Sequence, residues 1–289
     1  NYPTPIYFKG IVPQTKNDLD KLFPAFEKLA IENPTISLTK NEDTNQILIG
    51  GQSTTQLNYL FSKLKDDYGL KFDIEDKKIS YRETITKAGK ATGRYIKQSG
   101  GSGYYGVVDM EFMPSDKIEF VSTVFGGHID KGYFPAVEKG FLEAIKHGEL
   151  VQAPVIKIKA ILKDGKQHSV DSNEMAFKNA AILAFKEAYK NCKPILLEPY
   201  DQIVVRVNNV YLGNVLSDLT KRRGRILSTE EVENGDLDIV AVVPEAEILE
   251  YANEIKSLTK GTGFFNLTFE DYEEVPSIIS EKVIKNHSI

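Results

Sequence analysis

Apolar positions at the start of the chain predict two helices and four strands. Apolar residues recur three or four positions apart in residues 19–29 and again in residues 57–64, which is the spacing of one helix face. The predicted buried face of the first helix consists of Leu19, Leu22, Phe23, Phe26 and Leu29. We expect Pro24 to kink this helix or to open a second turn. With apolar strands flanking the helices, the order over residues 1–79 is β-α-β-β-α-β, which is typical of a ferredoxin-like domain.

The last part of the chain, residues 195–289, repeats this order with a different sequence. The predicted elements are a strand-rich stretch at Ile195–Val207, a helix at Leu212–Leu219, two strands at Arg225–Leu227 and Leu237–Val243, a helix at Ile248–Leu258 and a strand at Phe264–Phe269. The repeat is one of pattern and not of sequence. A terminal helix is predicted at Val275–Ile284, with Pro276 near its first turn.

Between these two units lies a middle unit, residues 80–194, with an α+β pattern. The predicted elements are strands at Tyr105–Phe112, Ile118–Val124 and Val155–Leu162, a turn at Asp164-Gly165, and helices at Phe134–His147 and Ser172–Asn191. The fold class is therefore α+β, in three domains that cover residues 1–79, 80–194 and 195–289.

Composition narrows the class of protein further. The 289 residues are 41% hydrophobic and 27% charged, and one cysteine, Cys192, excludes internal disulfides and multi-cysteine zinc sites. The single cysteine leads us to expect a reducing cytoplasm. No uninterrupted apolar run is long enough to span a membrane, and no apolar N-terminal segment has the pattern of a signal peptide. The net charge of −5 argues against a general nucleic-acid coat. Residues 81–197 nevertheless carry 17 Lys and Arg against 13 Asp and Glu.

A glycine-rich segment, Gly101–Gly106, fits the dinucleotide fingerprint G-x-G-x-x-G letter for letter. That fingerprint requires a following helix, whereas Val107–Phe112 alternates as a strand does, so a dinucleotide site is excluded. The loop Ser99–Gly103 is either a plain hairpin connection or a tip whose backbone N–H groups approach a ligand. No P-loop motif occurs in the chain, which excludes nucleoside triphosphate binding of that type.

Histidine and cysteine positions do not form a catalytic or metal-binding pattern. The four histidines are His128, His147, His168 and His287, and no pair has the spacing of zinc ligands. A triad of Ser169, His168 and Asp171 is disfavoured, because sequence neighbours rarely face one another and no nucleophile elbow is present. We interpret His168 as an exposed turn residue and Cys192 as a buried, inert thiol.

A basic run, Lys221-Arg222-Arg223-Gly224-Arg225, follows a predicted helix. Cations in the last turn of a helix are favoured by the helix dipole. Three consecutive cations and Arg225 exceed what capping requires, so contact with RNA phosphates is a competing interpretation.

From Tyr81 onward the chain carries a series of motifs in one order over more than 200 residues. They are Tyr81-Arg82-Glu83-Thr84, Lys97-Gln98-Ser99-Gly100-Gly101 with Gly103 and Tyr105-Gly106, Gly126-Gly127, Tyr133-Phe134-Pro135-Ala136-Val137-Glu138-Lys139-Gly140, His168-Ser169-Val170-Asp171-Ser172-Asn173-Glu174-Met175-Ala176-Phe177, Leu197-Glu198-Pro199, Asp218-Leu219-Thr220-Lys221-Arg222-Arg223-Gly224, Ser257-Leu258-Thr259-Lys260-Gly261 and Tyr272. In this order they resemble elongation factor G, the translational GTPase that drives ribosomal translocation.

The resemblance implies a ferredoxin-like domain III, a domain IV like domain 2 of ribosomal protein S5, and a ferredoxin-like domain V with a C-terminal helix. A GTP-binding domain and a β-barrel domain would precede Asn1, which agrees with the missing initiator Met. GTP with Mg²⁺ is then expected in the full-length protein, a GTPase. This fragment is expected to have no catalytic, cofactor or metal residues and to be no enzyme by itself.

The resemblance also implies which residues contact RNA. Two loops at the tip of domain IV would enter the decoding centre and contact tRNA and mRNA through Ser99, Gly100, Gly101, Ser102, Gly103, Gln167, His168, Ser169, Asp171, Ser172 and Asn173. Ribosomal RNA near the factor-binding stalk would be contacted by Lys221, Arg222, Arg223 and Arg225. Partners implied are the ribosome with its 16S and 23S rRNA and ribosomal proteins, tRNA and mRNA. The expected protein is a cytoplasmic, RNA-binding monomer with no membrane contact, acting as an elongation factor in protein biosynthesis.

Two segments favour a divergent paralogue over the housekeeping factor: the one that opens the second helix of domain III, and Val242–Gly263. The second helix of domain III opens with Gly50–Gln56 in place of a segment with Glu and His, and Ser102 replaces a common basic residue. Alternative functions are ribosome recycling or antibiotic protection by a related GTPase, and a stand-alone ribosomal RNA-binding adaptor.

Overall fold

The computed structural model describes residues 2–289. In the first part of the chain the elements are β1 (Tyr7–Pro13), α1 (Lys16–Glu32), β2 (Ser37–Asn41), β3 (Gln46–Gly51), α2 (Thr54–Asp66) and β4 (Phe72–Asp76). In the middle they are β5 (Arg82–Thr84), β6 (Gly89–Lys97), β7 (Tyr104–Pro114), β8 (Glu119–Ser122), α3 (Phe134–Ala144), β9 (Ile158–Lys166) and α4 (Glu174–Tyr189). In the last part they are β10 (Ile195–Asn208), α5 (Leu212–Lys221), β11 (Arg225–Glu231), β12 (Asp236–Pro244), α6 (Tyr251–Leu258), β13 (Phe264–Glu274) and α7 (Ser277–His287).

These elements form two compact units. The first unit joins the residues up to Ser80 with Glu198–Glu273, and the second joins Tyr81–Leu197 with Glu274–Ile289. Segments far apart in sequence therefore share one unit.

The first unit contains two sheets with the ferredoxin-like strand order. One sheet has the order β2-β3-β1-β4 and the other has β11-β12-β10-β13. The central strands pair antiparallel, for example with Tyr7 opposite Gly51 and Tyr200 opposite Pro244. Both predicted β-α-β-β-α-β patterns are confirmed, and the apolar faces of α1, α2, α5 and α6 contribute to one continuous cluster of buried residues.

Helix α1 differs from its prediction in two ways. It continues through Pro24 as a single helix, and its buried apolar face consists of Leu22, Ala25, Phe26 and Leu29. Leu19 and Phe23, which we predicted to be buried, are each 40% exposed. Packing of the buried face against the sheet sustains the helix although proline cannot donate a hydrogen bond inside it.

The second unit contains a four-stranded sheet of order β6-β7-β9-β8. Helix α4 packs against this sheet and α3 packs against α4, with Phe141 of α3 in contact with Phe112 and Phe120 of the sheet. Strands β8 and β9 are parallel, whereas the other neighbours are antiparallel. Strand β6 is missing from the sequence prediction because its mix of Gly, Lys and Thr lacks an apolar alternation. The predicted turn at Asp164-Gly165 is wrong, because both residues pair within β9 and a register shift opposite Asp109 accommodates them.

Within residues 2–289, no helix has the length and apolar character needed to cross a membrane. The same residues contain no cluster of His, Cys, Asp or Glu side chains that could hold a metal ion.

Candidate nucleic-acid interface

The two loops expected at the tip of domain IV lie side by side at one end of the sheet of the second unit. Residues 98–103 connect β6 to β7, and residues 167–173 connect β9 to α4. Since β7 and β9 are antiparallel neighbours, the start of β7 lies beside the end of β9, with Val107 opposite Lys166. A backbone hydrogen bond from Tyr105 N to Asp171 O, 2.9 Å long, joins the start of β7 directly to the second loop.

Asp171 links the loops a second time through its carboxylate. One oxygen accepts a hydrogen bond from Gln98 Nε2 at 2.9 Å, and the other accepts from Gly103 N at 3.1 Å. The hydrogen bond from Gln98, and to a smaller extent the one from Gly103, lower the pKa of Asp171. The carboxylate is therefore ionised at neutral pH, where charge strengthens both bonds.

Ser172 and Asn173 also use their side chains inside the protein. Ser172 Oγ donates to Tyr105 O at 2.8 Å and accepts from His168 N at 2.8 Å. Asn173 caps α4, because its Oδ1 accepts from Ala176 N at 2.9 Å. Of the predicted contact residues, Asp171, Ser172 and Asn173 thus shape the loops from within.

The His168 side chain uses one of its two ring nitrogens within its own loop. Its Nδ1 accepts hydrogen bonds from Val170 N at 3.2 Å and Asp171 N at 3.1 Å. An imidazole that accepts at Nδ1 carries its single proton on Nε2, so the network assigns the donor to that nitrogen. The side chain is 42% exposed, and its ring centroid lies 5.8 Å from that of Tyr105. The tip therefore offers one oriented N–H donor suited to a phosphate, hydroxyl or base acceptor.

The hairpin loop beside His168 has an open, glycine-dependent backbone. Gly100 has φ of 52° and Gly101 has φ of 155°, and nothing lies within 4 Å of where a Cβ would stand on either. Glycine adopts such angles without strain, and the missing side chains leave these backbone groups accessible to a large partner. Ser99 and Ser102 flank these glycines and are exposed, as is Ser169 in the neighbouring loop.

Gln167 forms hydrogen bonds with Asp130, which belongs to a third loop that is not part of the predicted site. Its Oε1 accepts from Asp130 N at 2.7 Å, and its Nε2 donates to Asp130 Oδ2 at 3.1 Å. The only sequence signal at this point is the Gly126-Gly127 pair, which predicts a turn but not its location at the tip.

The basic run after α5 makes extensive contacts within the first unit. Arg222 donates to Asp218 Oδ2 and to Glu247 O at 2.8 and 2.7 Å, pairs with Glu254, and lies over the ring of Tyr251. These contacts hold the end of α5 against α6 and the segment before it.

The other two arginines of the run are also paired. Arg223 contacts the Glu198 and Glu247 carboxylates at 2.8 and 3.2 Å. Arg225 contacts Glu273 at 2.9 Å. Within the described part of the chain Lys221 forms no ion pair and is exposed. Of the four predicted rRNA contacts, Lys221 is thus the one whose charge is not used in a salt bridge.

A buried carboxylate that sequence reasoning missed supports the second unit. Glu83 is fully buried and accepts hydrogen bonds from the backbone N–H groups of Leu150, Val151 and Ala153 at 2.9 to 3.1 Å. Tyr189 OH donates to the same carboxylate at 2.6 Å. Because four donors satisfy this buried carboxylate, we assign Glu83 a structural role. No periodicity in the sequence predicts this role.

A second missed feature is a small cavity inside the first unit, between strands of its two sheets. The cavity of about 40 Å³ is lined by Lys77, Asp201 and Glu245 together with apolar side chains. Lys77 Nζ lies 2.6 Å from Glu245 Oε1. Burial, and then the nearby Glu245 carboxylate, raise the pKa of Asp201 to about 6.

Comparison with known proteins agrees with this architecture. Residues 2–76 match the family model for elongation factor G, domain III, residues 77–193 match elongation factor G, domain IV, and residues 195–283 match the elongation factor G C-terminus.

A crystal structure of a protein from Thermus thermophilus is similar to this chain, with 37% sequence identity and a TM-score of 0.92. The similarity covers 100% of this chain and 43% of the Thermus protein. The expected α+β fold and the resemblance stated above are confirmed. The three sheet-containing regions match domains III to V, and the chain belongs to the elongation factor G family.

Proposed function

We propose that this chain is the ribosome-engaging part of a translational GTPase that promotes translocation of tRNA and mRNA. In this proposal the GTPase reaction takes place elsewhere in the full-length protein, with GTP and Mg²⁺. The tip formed by residues 98–103 and 167–173 enters the decoding centre, where it occupies space and contacts tRNA–mRNA. Lys221 contributes the contact of the basic run with rRNA.

One observation carries this proposal. Two loops, joined by hydrogen bonds of Asp171 and Ser172, hold the His168 ring so that Nδ1 accepts two hydrogen bonds and the ring proton lies on Nε2. Such an arrangement presents a donor at a defined position without performing covalent chemistry. A donor at a fixed position can hydrogen-bond to an RNA surface, as a binding site does, and takes no part in a reaction as a catalytic site would.

The test is a toeprinting assay of mRNA movement with the full-length protein carrying His168→Ala or His168→Asn. Asparagine offers a side-chain oxygen near the position of Nδ1, so it retains the turn but removes the Nε2–H donor. We expect both variants to slow translocation by about tenfold or more, with unchanged melting temperature. Normal translocation by His168→Asn would show that His168 shapes the loop only.

The same assay addresses the alternative functions. Wild-type protein that produces no mRNA shift would contradict the translocase proposal and favour recycling, antibiotic protection or an adaptor role. GTP hydrolysis stimulated by ribosomes would then separate the two GTPase alternatives from the adaptor.

A further inference from the structure

A third loop, here called the Phe125 loop (residues 123–130), reaches the same end of the sheet as the two tip loops. Strand β8 runs parallel to β9, and Thr123 N donates to Leu162 O at 2.9 Å as β8 ends. The far end of the loop is fastened to the neighbouring tip loop by the reciprocal hydrogen bonds between Asp130 and Gln167. Parallel strands end at the same edge, so this location follows from the topology.

The Phe125 ring is almost fully exposed, at 94%. Val124 packs against the core before it and Ile129 is buried after it, so both ends of the loop are anchored. Gly126 and Gly127 follow with φ of 93° and 76°, two successive left-handed residues with open space at their Cβ positions. This glycine turn redirects the backbone directly after Phe125 and leaves the ring open to solvent.

Single exposed apolar residues are ordinary in proteins. At this end of the sheet, however, each of the three loops has an exposed apolar residue within it or directly beside it. Val170 is 80% exposed and Tyr104 is 38% exposed. The polar neighbours of Phe125 in the chain include the exposed Lys131 and His128, whose side chain is 65% exposed and whose Nδ1 lies 3.2 Å from the Asp164 carboxylate. An open aromatic ring beside an exposed lysine and N–H donors is a combination that binds unpaired nucleotides, since every base offers a flat face.

We propose that the Phe125 loop is an additional RNA-contact element, in which the Phe125 ring stacks on an unpaired base. The inference rests on the proposed function, because it takes the tip to face RNA. A protein partner fits less well, because one ring on a narrow polar loop lacks the roughly 800 Å² per partner that stable protein interfaces bury.

The chain contains no tryptophan, so Phe125→Trp introduces a single tryptophan as the fluorescent reporter. We expect its emission to be quenched when oligo(U), oligo(A) or small ribosomal subunits are added to the chain. The matched control is Phe269→Trp, at a ring that is 53% exposed on β13 of the other unit, where we expect no quenching. Equal quenching of both reporters, or a response to ribosomal proteins and not to RNA, would overturn the inference.

A binding series separates the inference from the proposed function. Phe125→Ala should weaken binding to small ribosomal subunits by about 5- to 100-fold, whereas Phe125→Tyr should retain it. Ile31→Ala, at an 82% exposed position on α1, controls for loss of exposed apolar surface. If wild type binds but Phe125→Ala binds equally well, the inference alone fails. If wild type binds neither RNA nor subunits, the proposed function fails with it.

Discussion

At the scale of single residues, two buried tyrosines show how much a hydrogen-bond partner matters. Tyr189 OH donates to the buried Glu83 carboxylate, whereas the Tyr251 hydroxyl is buried without a hydrogen-bond partner among the described residues. Both rings are fully or almost fully buried, so a main difference between the two sites is whether the hydroxyl has a hydrogen-bond partner. An unsatisfied buried hydroxyl costs free energy that a satisfied one does not.

We therefore expect Tyr251→Phe to leave the free energy of unfolding unchanged or to raise it by about 1 kcal/mol. Tyr189→Phe should lower it by about 1–3 kcal/mol, because a buried charge loses a donor. Urea unfolding of both variants measures this difference. Destabilisation of similar size in the two variants would contradict the argument.

The buried carboxyl of Asp201 makes the stability of the first unit depend on pH. Its pKa is about 6 in the folded protein against an ordinary 3.8. A raised pKa favours the protonated form on folding, so this contribution to stability is complete below about pH 4 and is lost as pH rises through about 6. Two pKa units correspond to about 3 kcal/mol, which is an upper figure for the effect.

Asp201→Asn removes the charge at every pH and should raise the melting temperature at pH 7.5 relative to wild type. The advantage should shrink at pH 4.5, where wild-type Asp201 is protonated. Asp73→Asn in β4 is the matched control, since it makes the same chemical change at an exposed position. Thermal melts at the two pH values test this, and an advantage that does not vary with pH would be inconsistent with it.

At the scale of elements, close packing of α4 on the sheet determines the architecture of the second unit. A Cβ on Gly93 of β6 would collide with the backbone carbonyl of Ala180, and one on Gly106 of β7 would lie 2.8 Å from the Ala176 carbonyl group. Alanines on the facing side of α4 allow this approach, and all are fully buried. Backbone contacts of this kind cannot yield as a flexible side chain can.

Gly93→Ala should consequently lower the free energy of unfolding by about 2–4 kcal/mol. Gly132→Ala serves as the control, because nothing lies within 4 Å of its Cβ position and its effect should be within about 1 kcal/mol. Urea denaturation of both proteins provides the comparison. Equal stabilities would show that α4 can move away from the sheet without cost.

At the scale of the whole molecule, the first unit is assembled from two segments that are far apart in the chain. Buried residues of α1 and α2 belong to one cluster with those of β10, β12 and α6. Ion pairs of Lys9 with Glu250 and of Lys77 with Glu245, at 2.9 and 2.6 Å, also join the two segments. We infer that the two ferredoxin-like regions open and close as one cooperative body.

Leu60→Ala in α2 tests this cooperativity, since Leu60 is fully buried in the shared cluster. We expect a loss of about 2–5 kcal/mol, seen by hydrogen exchange as lower protection in both residues 2–80 and residues 198–273. Amides of residues 81–197 provide the internal reference. Loss of protection confined to residues 2–80 would mean that the two regions open independently.

Much of the fold followed from local patterns in the sequence. Periodicity at Leu57–Leu64 located α2, and the β-α-β-β-α-β order was evident in both ferredoxin-like regions. Local pattern failed where pairing partners decide the structure, as in β6, which has no apolar alternation, and at Asp164-Gly165, where a register shift replaces the expected turn. In α1 it placed Leu19 and Phe23 on the buried face, although helix spacing alone cannot distinguish the centre of an apolar stripe from its border.

The sequence by itself determined the fold class and the family, because motif order and hydrophobic periodicity are properties of the chain. The tertiary structure decided which side chains remain available for a partner. Hydrogen bonds in the tip loops occupy Asp171 and Nδ1 of His168, salt bridges occupy the three arginines of the basic run, and parallel strands bring Phe125 to the tip. The bond between Asp171 and Gly103 spans 68 positions and that between Arg223 and Glu198 spans 25. Contacts over such separations depend on which strands and helices become neighbours, so no local pattern in the chain could reveal them.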